Sequence, residues 1–189
     1  MNPVEISDIT NIAEYEIERE TLRPKMIALK DRRRVRVGEH LTFLFENRET
    51  VRYQIQEMMR AERIVKAHDI AHEVATYNEL VPGQGELCAS LLVEYETPAE
   101  RDAKLRELLG LEHHIWVEVE GAGRTPAIFD DRQIATDRIS AVQYLRFRLS
   151  EAQQTNWSKG AAVVSDHPRY QAAQPLSAAQ LLEIGNDFR

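Results

Sequence analysis

The chain has 189 residues and a formal net charge of −7, with 43% hydrophobic and 29% charged residues. This length suits one domain with a hydrophobic core, and the composition excludes a disordered chain. Because the first twenty residues are acidic and no long apolar run follows, we expect neither a secretory signal nor a membrane span, and a single cytoplasmic domain over residues 1–189.

The chain contains one cysteine, Cys88. A single cysteine excludes an internal disulfide and any metal or iron–sulfur site built only from thiolates of this chain, because such sites need several cysteines. Cys88 lies in the apolar stretch LCASLLV, which indicates a buried thiol on a strand. We expect no cofactor and no cofactor chemistry of the protein's own.

The first predicted elements are helical. Residues 8–30 carry apolar side chains at helical spacing, and Pro24 is expected to divide them into two helical pieces. The stretch RRVRVGEHLTFLFE then changes to shorter apolar runs around Gly38. This change of spacing predicts a β-hairpin.

A basic run lies where the helical segment meets the hairpin; its members are Lys30, Arg32, Arg33, Arg34 and Arg36. The run is typical of a helix C-terminus, where cations interact favourably with the helix dipole, leading into an exposed strand. The alternative is a site for phosphate or for an acidic partner. Because the rest of the chain is acidic, nucleic-acid binding through Arg32 to Arg36 is only a third functional hypothesis.

The stretch FLFENRETVRYQIQEMMRAERI predicts the next helix. At 100° per residue its apolar stripe includes Glu62, and a buried carboxylate has to be paired, protonated or placed at an edge. We expect Glu62 to form a buried ion pair with Arg19 or Arg48; the alternative is a ligand-binding or proton-transfer carboxylate. Glu57 and Arg60 are expected to form an i,i+3 surface pair.

The stretch HDIAHEVATYNEL predicts a short helix that ends at the turn VPGQG. His68 and His72 are four residues apart and share one helix face, which makes them candidate metal ligands. The buried side of this helix is predicted opposite the two histidines, and no third ligand lies nearby in the sequence. We therefore keep His68 and His72 as weak candidates and expect no metal site.

The clearest boundaries lie in the middle of the chain. ELCASLLVEYE predicts a mostly buried strand, and a helix follows with Thr97 as N-cap, Pro98 as its first residue and Gly110 at its end. HHIWVEVE, TPAIFDD, AVQYLRFRLS and GAAVVSDH predict four more strands, and Ser177 caps a closing helix. This order predicts a single α+β domain in which N-terminal helices and a hairpin pack with a mostly antiparallel sheet, without helices between the strands after Gly110.

Alternation along each strand separates polar from apolar side chains, and if the polar sets of the strands coincide, they form one polar face of the predicted sheet. We interpret this face as solvated, with cross-strand ion pairs; the alternative is a ligand groove. In DHPRY, Pro168 favours an extended His167 at a strand end, where a histidine can serve as an acid or a base. The residues of the polar face are Glu94, His114, Glu118, Tyr144, Arg146 and Arg148.

The stretch from Phe45 to Arg63 carries the spaced pattern FENRxTxxxQxQEMxRxER. Together with TYNELVP, QYLRFRL and DHPRY, it resembles a bacterial and archaeal family of domains of unknown function over nearly the whole chain. The resemblance implies no activity. It does imply genes beside those of rubrerythrin-like and heterodisulfide-reductase-like proteins, and hence a redox or peroxide-stress partner. Glu62 belongs to the pattern, whereas His68 and His72 do not.

Two functional hypotheses lead. The first is an accessory or binding protein of a cytoplasmic redox or peroxide-stress system, without cofactor chemistry of its own, whose partner is an iron–sulfur or rubrerythrin-like protein. The alternative is a small-molecule or metal-dependent enzyme, which requires its catalytic candidates to meet in one pocket. The sequence leaves a homo-oligomer open. The catalytic candidates are Glu57, Arg60, Glu62, Glu94 and His167.

Overall fold

The computed structural model of the protein describes residues 1–188 and shows an α+β domain. A layer of helices covers one face of a five-stranded sheet, and a four-stranded sheet lies on the other face. The paired strands are antiparallel in both sheets. The predicted α+β class and antiparallel pairing are therefore confirmed, whereas the division of the strands between two sheets was not predicted.

Helices and strands are interspersed along residues 1–188. The helices are α1 (Ile12–Arg32), α2 (Arg48–Glu62), α3 (Ala67–Asn78), α4 (Pro98–Glu107), α5 (Glu151–Asn156) and α6 (Ala178–Gly185). The strands are β1 (Arg34–Val37), β2 (Leu41–Glu46), β3 (Glu86–Val93), β4 (Ile115–Val119), β5 (Gly123–Pro126), β6 (Ile128–Phe129), β7 (Val142–Arg148), β8 (Ala161–His167) and β9 (Tyr170–Pro175).

The two sheets are connected along both of their sides. The first sheet has the order β1-β2-β3-β7-β6 and the second the order β5-β4-β8-β9. Only Ala127 separates β5 from β6, yet β5 pairs with β4 and β6 pairs with β7. On the other side, the Tyr170 hydroxyl donates to the carbonyl oxygen of Val37 and accepts from the backbone N–H of His40, both at 2.8 Å. The sheets therefore enclose the core like a flattened barrel.

The main core lies between the two sheets and is built from the inward-facing positions of alternating strands. Phe43 and Phe147 of the first sheet and Val163 of the second have no exposed surface. A smaller apolar cluster lies under α2 and α3 and includes Val51 and Met59. Burial of such side chains is the main favourable contribution to folding.

Helix α1 is one continuous helix of 21 residues, so the predicted division at Pro24 is wrong. A proline inside a helix removes one backbone hydrogen bond and crowds the carbonyl group four residues earlier. Both Pro24 and Glu20, which carries that carbonyl, lie on the exposed side of α1. Water can therefore satisfy the carbonyl, and the helix continues past the proline.

The predicted burial of Glu62 is also wrong. Glu62 does lie at the angular position of the apolar stripe, but its side chain is exposed, and Val65 just beyond the helix is 72% exposed. Helix α2 ends at Glu62, so its last turn extends past the surface that buries the earlier apolar residues. Neither of its expected partners binds Glu62: Arg19 pairs with a different glutamate of α2, and Arg48 pairs with Asp8.

The region after residue 110 contains more regular structure than the sequence indicated. Helix α5 lies between β7 and β8, which contradicts the prediction of strands joined only by turns. The segment DHPRY forms a tight turn between β8 and the unpredicted strand β9, with His167 opposite Tyr170.

Helix α4 begins as predicted, because the side chain of Thr97 accepts a hydrogen bond from the backbone of Glu100 and Pro98 is its first residue.

The basic run divides between two environments. Lys30 and Arg32 lie in the last turn of α1, as predicted. Arg33 is instead fully buried, where it forms an ion pair with Asp187 near the C-terminus and donates to two backbone carbonyls at the end of β2. This residue therefore joins α1, the first sheet and the C-terminal segment.

Candidate functional site

Two adjoining cavities lie between the first sheet and the helices α2 and α3. The larger has a volume of about 540 Å³ and lies between α3 and the strands β6 and β7. The smaller has a volume of about 200 Å³ and lies between the helices and the strands β2 and β3. Tyr77, Leu80 and Tyr144 line both cavities, so the two adjoin, and we call the pair the groove.

Glu46, the last residue of β2, lines the smaller cavity and is only 7% exposed. Its Oε2 accepts a hydrogen bond of 2.6 Å from the Thr50 hydroxyl, and its Oε1 accepts one of 2.7 Å from the Ser90 hydroxyl. Within residues 1–188, no basic side chain lies within 4.0 Å of this carboxylate. Each oxygen keeps lone-pair capacity for a further donor.

The local sequence explains how this carboxylate is held. Asn47 caps α2, and its side chain accepts from the backbone N–H of Thr50. The Thr50 hydroxyl in turn accepts from the backbone N–H of Asn47, which completes a reciprocal cap. The start of α2 thereby fixes Thr50 against Glu46, so the FENRET segment builds the site as a unit.

Lys30 places an ammonium group beside the same smaller cavity. Its Nζ lies 5.2 Å from the centre of the Tyr53 ring, at cation–π distance. None of the carboxylates described in the structure lies within salt-bridge distance of this Nζ. Burial lowers the pKa of Lys30, and the negative charge of Glu46 partly opposes this effect.

The junction and the far end of the groove are mostly apolar. Burial raises the pKa of Tyr77 and of Tyr144, so both phenols are neutral near pH 7 and can donate hydrogen bonds. Phe129, Ile128 and Leu145 line the larger cavity beyond them. The groove therefore has a buried carboxylate at the Glu46 end, and apolar side chains together with charged ones at the β6 end.

Paired charges border the larger cavity. Arg146 donates to the Glu86 carboxylate at 2.8 Å and to the backbone carbonyl of Glu79 at 3.0 Å. Arg132 binds the carboxylates of Glu79 and Asp130, both at 2.7 Å. These charges already have partners, which distinguishes them from Lys30 and Glu46 in the smaller cavity.

Of the catalytic candidates on α2, Glu57 and Arg60 face α1. Glu57 accepts hydrogen bonds of 2.7 Å from both Tyr15 and Arg19, and Arg60 pairs with Glu16 at 3.3 Å. The expected surface pair of Glu57 with Arg60 is therefore replaced by two contacts between helices. Both residues hold α1 against α2, outside the groove.

The remaining catalytic candidates lie elsewhere. Glu94, just beyond β3, is exposed and accepts from the Thr42 hydroxyl at 2.6 Å. His167 lies in the second sheet, where its Nδ1 accepts from the backbone N–H of Arg169 at 3.2 Å and its Nε2 faces the carbonyl oxygen of Leu109 at 3.3 Å. The structure therefore does not bring the five candidates into one pocket, as the enzyme hypothesis requires.

The metal candidates His68 and His72 are both exposed on α3. His68 lies 2.9 Å from the Asp69 carboxylate. Across residues 1–188, no group of three or more histidine, cysteine or acidic side chains is arranged to hold a metal ion.

The predicted polar face is divided between the two sheets. Tyr144 and Arg146 lie on β7 in the first sheet, whereas His114 and Glu118 belong to the β4 region of the second. The polar sets therefore do not coincide on one face, because strand alternation does not say which sheet a strand joins. Cross-strand ion pairs do occur, since both Arg146 and Arg148 bind Glu86.

Of the two charged residues of the smaller cavity, sequence reasoning missed Glu46 and named Lys30 only as a member of the basic run. Glu46 directly follows the buried run FLF and directly precedes the N-cap of α2, which is a signal for a carboxylate held at the junction of a strand and a helix. Lys30 carries no comparable signal, because it stands among other cations at the end of α1.

The fold and the groove define an antiparallel α+β domain with a cavity and a buried carboxylate that has no basic partner in residues 1–188. The chain belongs to the family described as protein of unknown function, DUF3501, whose model matches residues 3–188. The resemblance noted from the FENR pattern is thereby confirmed at the level of the family.

Comparison with solved structures also finds a similar protein of unknown function. The chain is similar to a novel protein of unknown function from Burkholderia pseudomallei K96243, known from a crystal structure at 1.90 Å resolution. The two share 30% sequence identity over 100% of each chain, with a TM-score of 0.93. No curated protein matches the chain. Among the described residues, no helix has the length and apolarity needed to cross a membrane.

Proposed function

We propose that this protein binds a small organic molecule in the groove between the first sheet and the helices α2 and α3. The observation that carries this proposal is Glu46, a buried carboxylate that lines a cavity and has no basic partner in residues 1–188. A buried charge is costly unless it is paired and hydrogen-bonded. The two hydroxyl groups reduce this cost, and a bound ligand with a donor group would complete the compensation.

The size and lining of the groove support the same function. Ligand cavities in proteins commonly have volumes of about 300–1,000 Å³ and apolar walls with a few polar groups. The larger cavity, at about 540 Å³, lies in this range and is lined by Tyr77, Phe129 and Tyr144. Aromatic walls at one end and hydrogen-bonding groups at the other would orient a ligand along the groove.

We further propose that ligand binding serves an accessory role in a cytoplasmic redox or peroxide-stress system. This part of the proposal rests on the genes that the family resemblance implies, and its expected partner is an iron–sulfur or rubrerythrin-like protein. Gentle purification of the tagged protein from its source, followed by mass spectrometry, should recover such a partner. Repeated preparations without one would contradict the accessory role and leave ligand binding to be judged by its own test.

The test of ligand binding compares a blocked groove with an unblocked one. Val142 lies at the edge of the smaller cavity and is 36% exposed, so Val142→Trp should fill the entrance without disturbing the core. Ile17→Trp is the matched control, because Ile17 is 78% exposed and lies on α1 outside the groove.

The wild type and the two variants are purified from the source cell, and native mass spectrometry measures the ligand mass that each protein carries. The wild type and Ile17→Trp should carry the same added ligand mass, and Val142→Trp should lack it. A bare chain in all three preparations, or equal ligand in all three, would contradict binding in this groove.

A further inference from the structure

Lys30 and Glu46 stand beside the same small cavity without forming an ion pair with each other. Lys30 comes from the last turn of α1 and Glu46 from the end of β2, so the two charges are held by separate elements. Neither has an oppositely charged side chain within 4.0 Å in residues 1–188. The cavity thus presents one unpaired ammonium and one unpaired carboxylate.

Opposite charges in one cavity select the charge pattern of a ligand. A ligand with a single charge would pair with one of the two groups and leave the other desolvated and unpaired, which is unfavourable. A ligand with both an ammonium and a carboxylate would pair with both and remain neutral overall. Charge-assisted hydrogen bonds of this kind are roughly twice as strong as neutral ones.

We propose that the ligand is an α-amino acid with an apolar or aromatic side chain, whose ammonium group binds Glu46 and whose carboxylate binds Lys30. This inference rests on the proposed ligand-binding function of the groove. The smaller cavity, at about 200 Å³, takes the charged end of the ligand. The side chain extends past Tyr77 and Tyr144 into the larger cavity.

The hydrogen-bonding groups in the smaller cavity match the two ends of an amino acid. Glu46 accepts only two hydrogen bonds within the described structure, one on each oxygen, and can accept further donors from an ammonium group. The Lys30 ammonium offers three donors, and the side chain of Gln54 adds amide donors in the same cavity. On the Phe129 side of the groove, Arg132 and Arg146 have acidic partners, whereas Glu73 has no basic partner in residues 1–188. The apolar side chains there suit an uncharged ligand side chain.

The experiment begins with a melting-temperature screen of the twenty amino acids against the whole protein. The amino acid that stabilises most is then compared by calorimetry with two analogues that keep its side chain. For phenylalanine these are phenethylamine, which lacks the carboxylate, and 3-phenylpropionate, which lacks the ammonium. The amino acid should bind at least about tenfold more tightly than either analogue, as expected for the loss of one charge-assisted pair.

Two variants assign the two charges separately. Glu46→Gln should abolish the preference for the amino acid over the analogue without an ammonium, and Lys30→Met should abolish the preference over the analogue without a carboxylate. Lys25→Met is the control, because Lys25 is exposed on the same helix, and it should keep both preferences. The binding preference of Lys30→Met is measured separately from that of Glu46→Gln. A folding defect in Glu46→Gln would therefore still leave the assignment of Lys30 open to test.

Each contrary outcome has a definite meaning. Equal binding of the amino acid and its analogues, or unchanged preferences in both variants, would overturn the assignment of the two charges. A screen in which no amino acid binds would also overturn it. In both cases a ligand mass that is present in the wild type and lost in Val142→Trp would still support the groove as a binding site, so the two failures are distinguishable.

Discussion

The guanidinium group of Arg19 on α1 holds the carboxylate of Glu57 on α2 through two hydrogen bonds, of 2.7 and 3.1 Å. The buried Tyr15 adds a third donor at 2.7 Å to the same carboxylate. Burial alone would raise the pKa of Glu57, but the hydrogen bonds from Arg19 and Tyr15 outweigh it and hold the pKa below its usual value. This cluster fixes the long helix α1 against α2, whose other side covers the groove.

Glu57→Gln should therefore lower the free energy of unfolding by about 1–3 kcal/mol, because it weakens three hydrogen bonds and leaves Arg19 without its counter-charge. Urea unfolding followed by circular dichroism measures the change. Glu62→Gln, on the same helix but exposed, is the control and should change stability by less than about 0.5 kcal/mol. Equal effects of the two substitutions would refute the distinction between these glutamates.

The contribution of Glu57 should depend on pH in a defined direction. Because its pKa is lower in the folded state, the unfolded chain takes up the proton first as the pH falls. The stability difference between wild type and Glu57→Gln should be complete above the ordinary glutamate pKa and should disappear as the pH falls through the lowered one. A difference that grows on acidification would contradict this sign.

Asp187→Asn should destabilise the protein by about 1–3 kcal/mol, because it removes the nearer counter-charge of the fully buried Arg33 and leaves only the Glu183 carboxylate, 3.6 Å away. The double variant Arg33→Met with Asp187→Leu should recover much of this loss, since an apolar pair leaves no charge unpaired. Thermal and urea unfolding of the three proteins measure the difference. Arg32→Gln supplies the control, because it removes only a pair at the surface.

Cys88 should be inert in the folded protein. Its side chain is buried, and burial raises the pKa of the thiol to about 12. The thiol is therefore protonated at pH 8, and the thiolate is the reactive form. A thiol reagent such as DTNB should react with Cys88 only after denaturation. Rapid reaction in native buffer would instead indicate thiol chemistry, contrary to an accessory role without redox groups of its own.

Tyr170→Phe should lower stability by about 1–3 kcal/mol, because it leaves the N–H of His40 and the carbonyl of Val37 without their partner where the two sheets meet. Tyr53→Phe is the matched control, since within residues 1–188 the Tyr53 hydroxyl makes no direct hydrogen bond, and its effect should stay below about 0.5 kcal/mol. Hydrogen exchange of β1 and β9 reports whether the loss is local. Identical stabilities of the two variants would show that this junction contributes nothing.

Local signals predicted individual elements well. Thr97 and Pro98 mark the start of α4, and Gly110 adopts the positive φ of 96° expected after a helix end. Such signals work because capping and backbone conformation depend on residues a few positions apart. Pro24 shows the limit of the same reasoning, since whether a proline interrupts a helix depends on which side of the helix faces water.

The groove was not predictable in the same way. Periodicity correctly placed Glu62 on the angular stripe of α2, but burial also depends on how far along its axis a helix meets the rest of the protein. Glu46 and Lys30 come from different elements, 16 positions apart in the chain, and only their arrangement in space makes them lining residues of one cavity. The FENR pattern includes Glu46, yet a pattern alone does not distinguish a structural carboxylate from a binding one.

The sequence by itself determined the α+β class, most helix and strand positions, the family and the buried thiol, because each depends on composition, spacing or local backbone chemistry. The tertiary structure alone decided that the strands form two sheets, that α1 passes through Pro24, that Arg33 rather than Glu62 forms the buried ion pair, and that the catalytic candidates lie apart. It also decided that Lys30 and Glu46 share a cavity. These outcomes depend on contacts between distant segments, which no local pattern specifies.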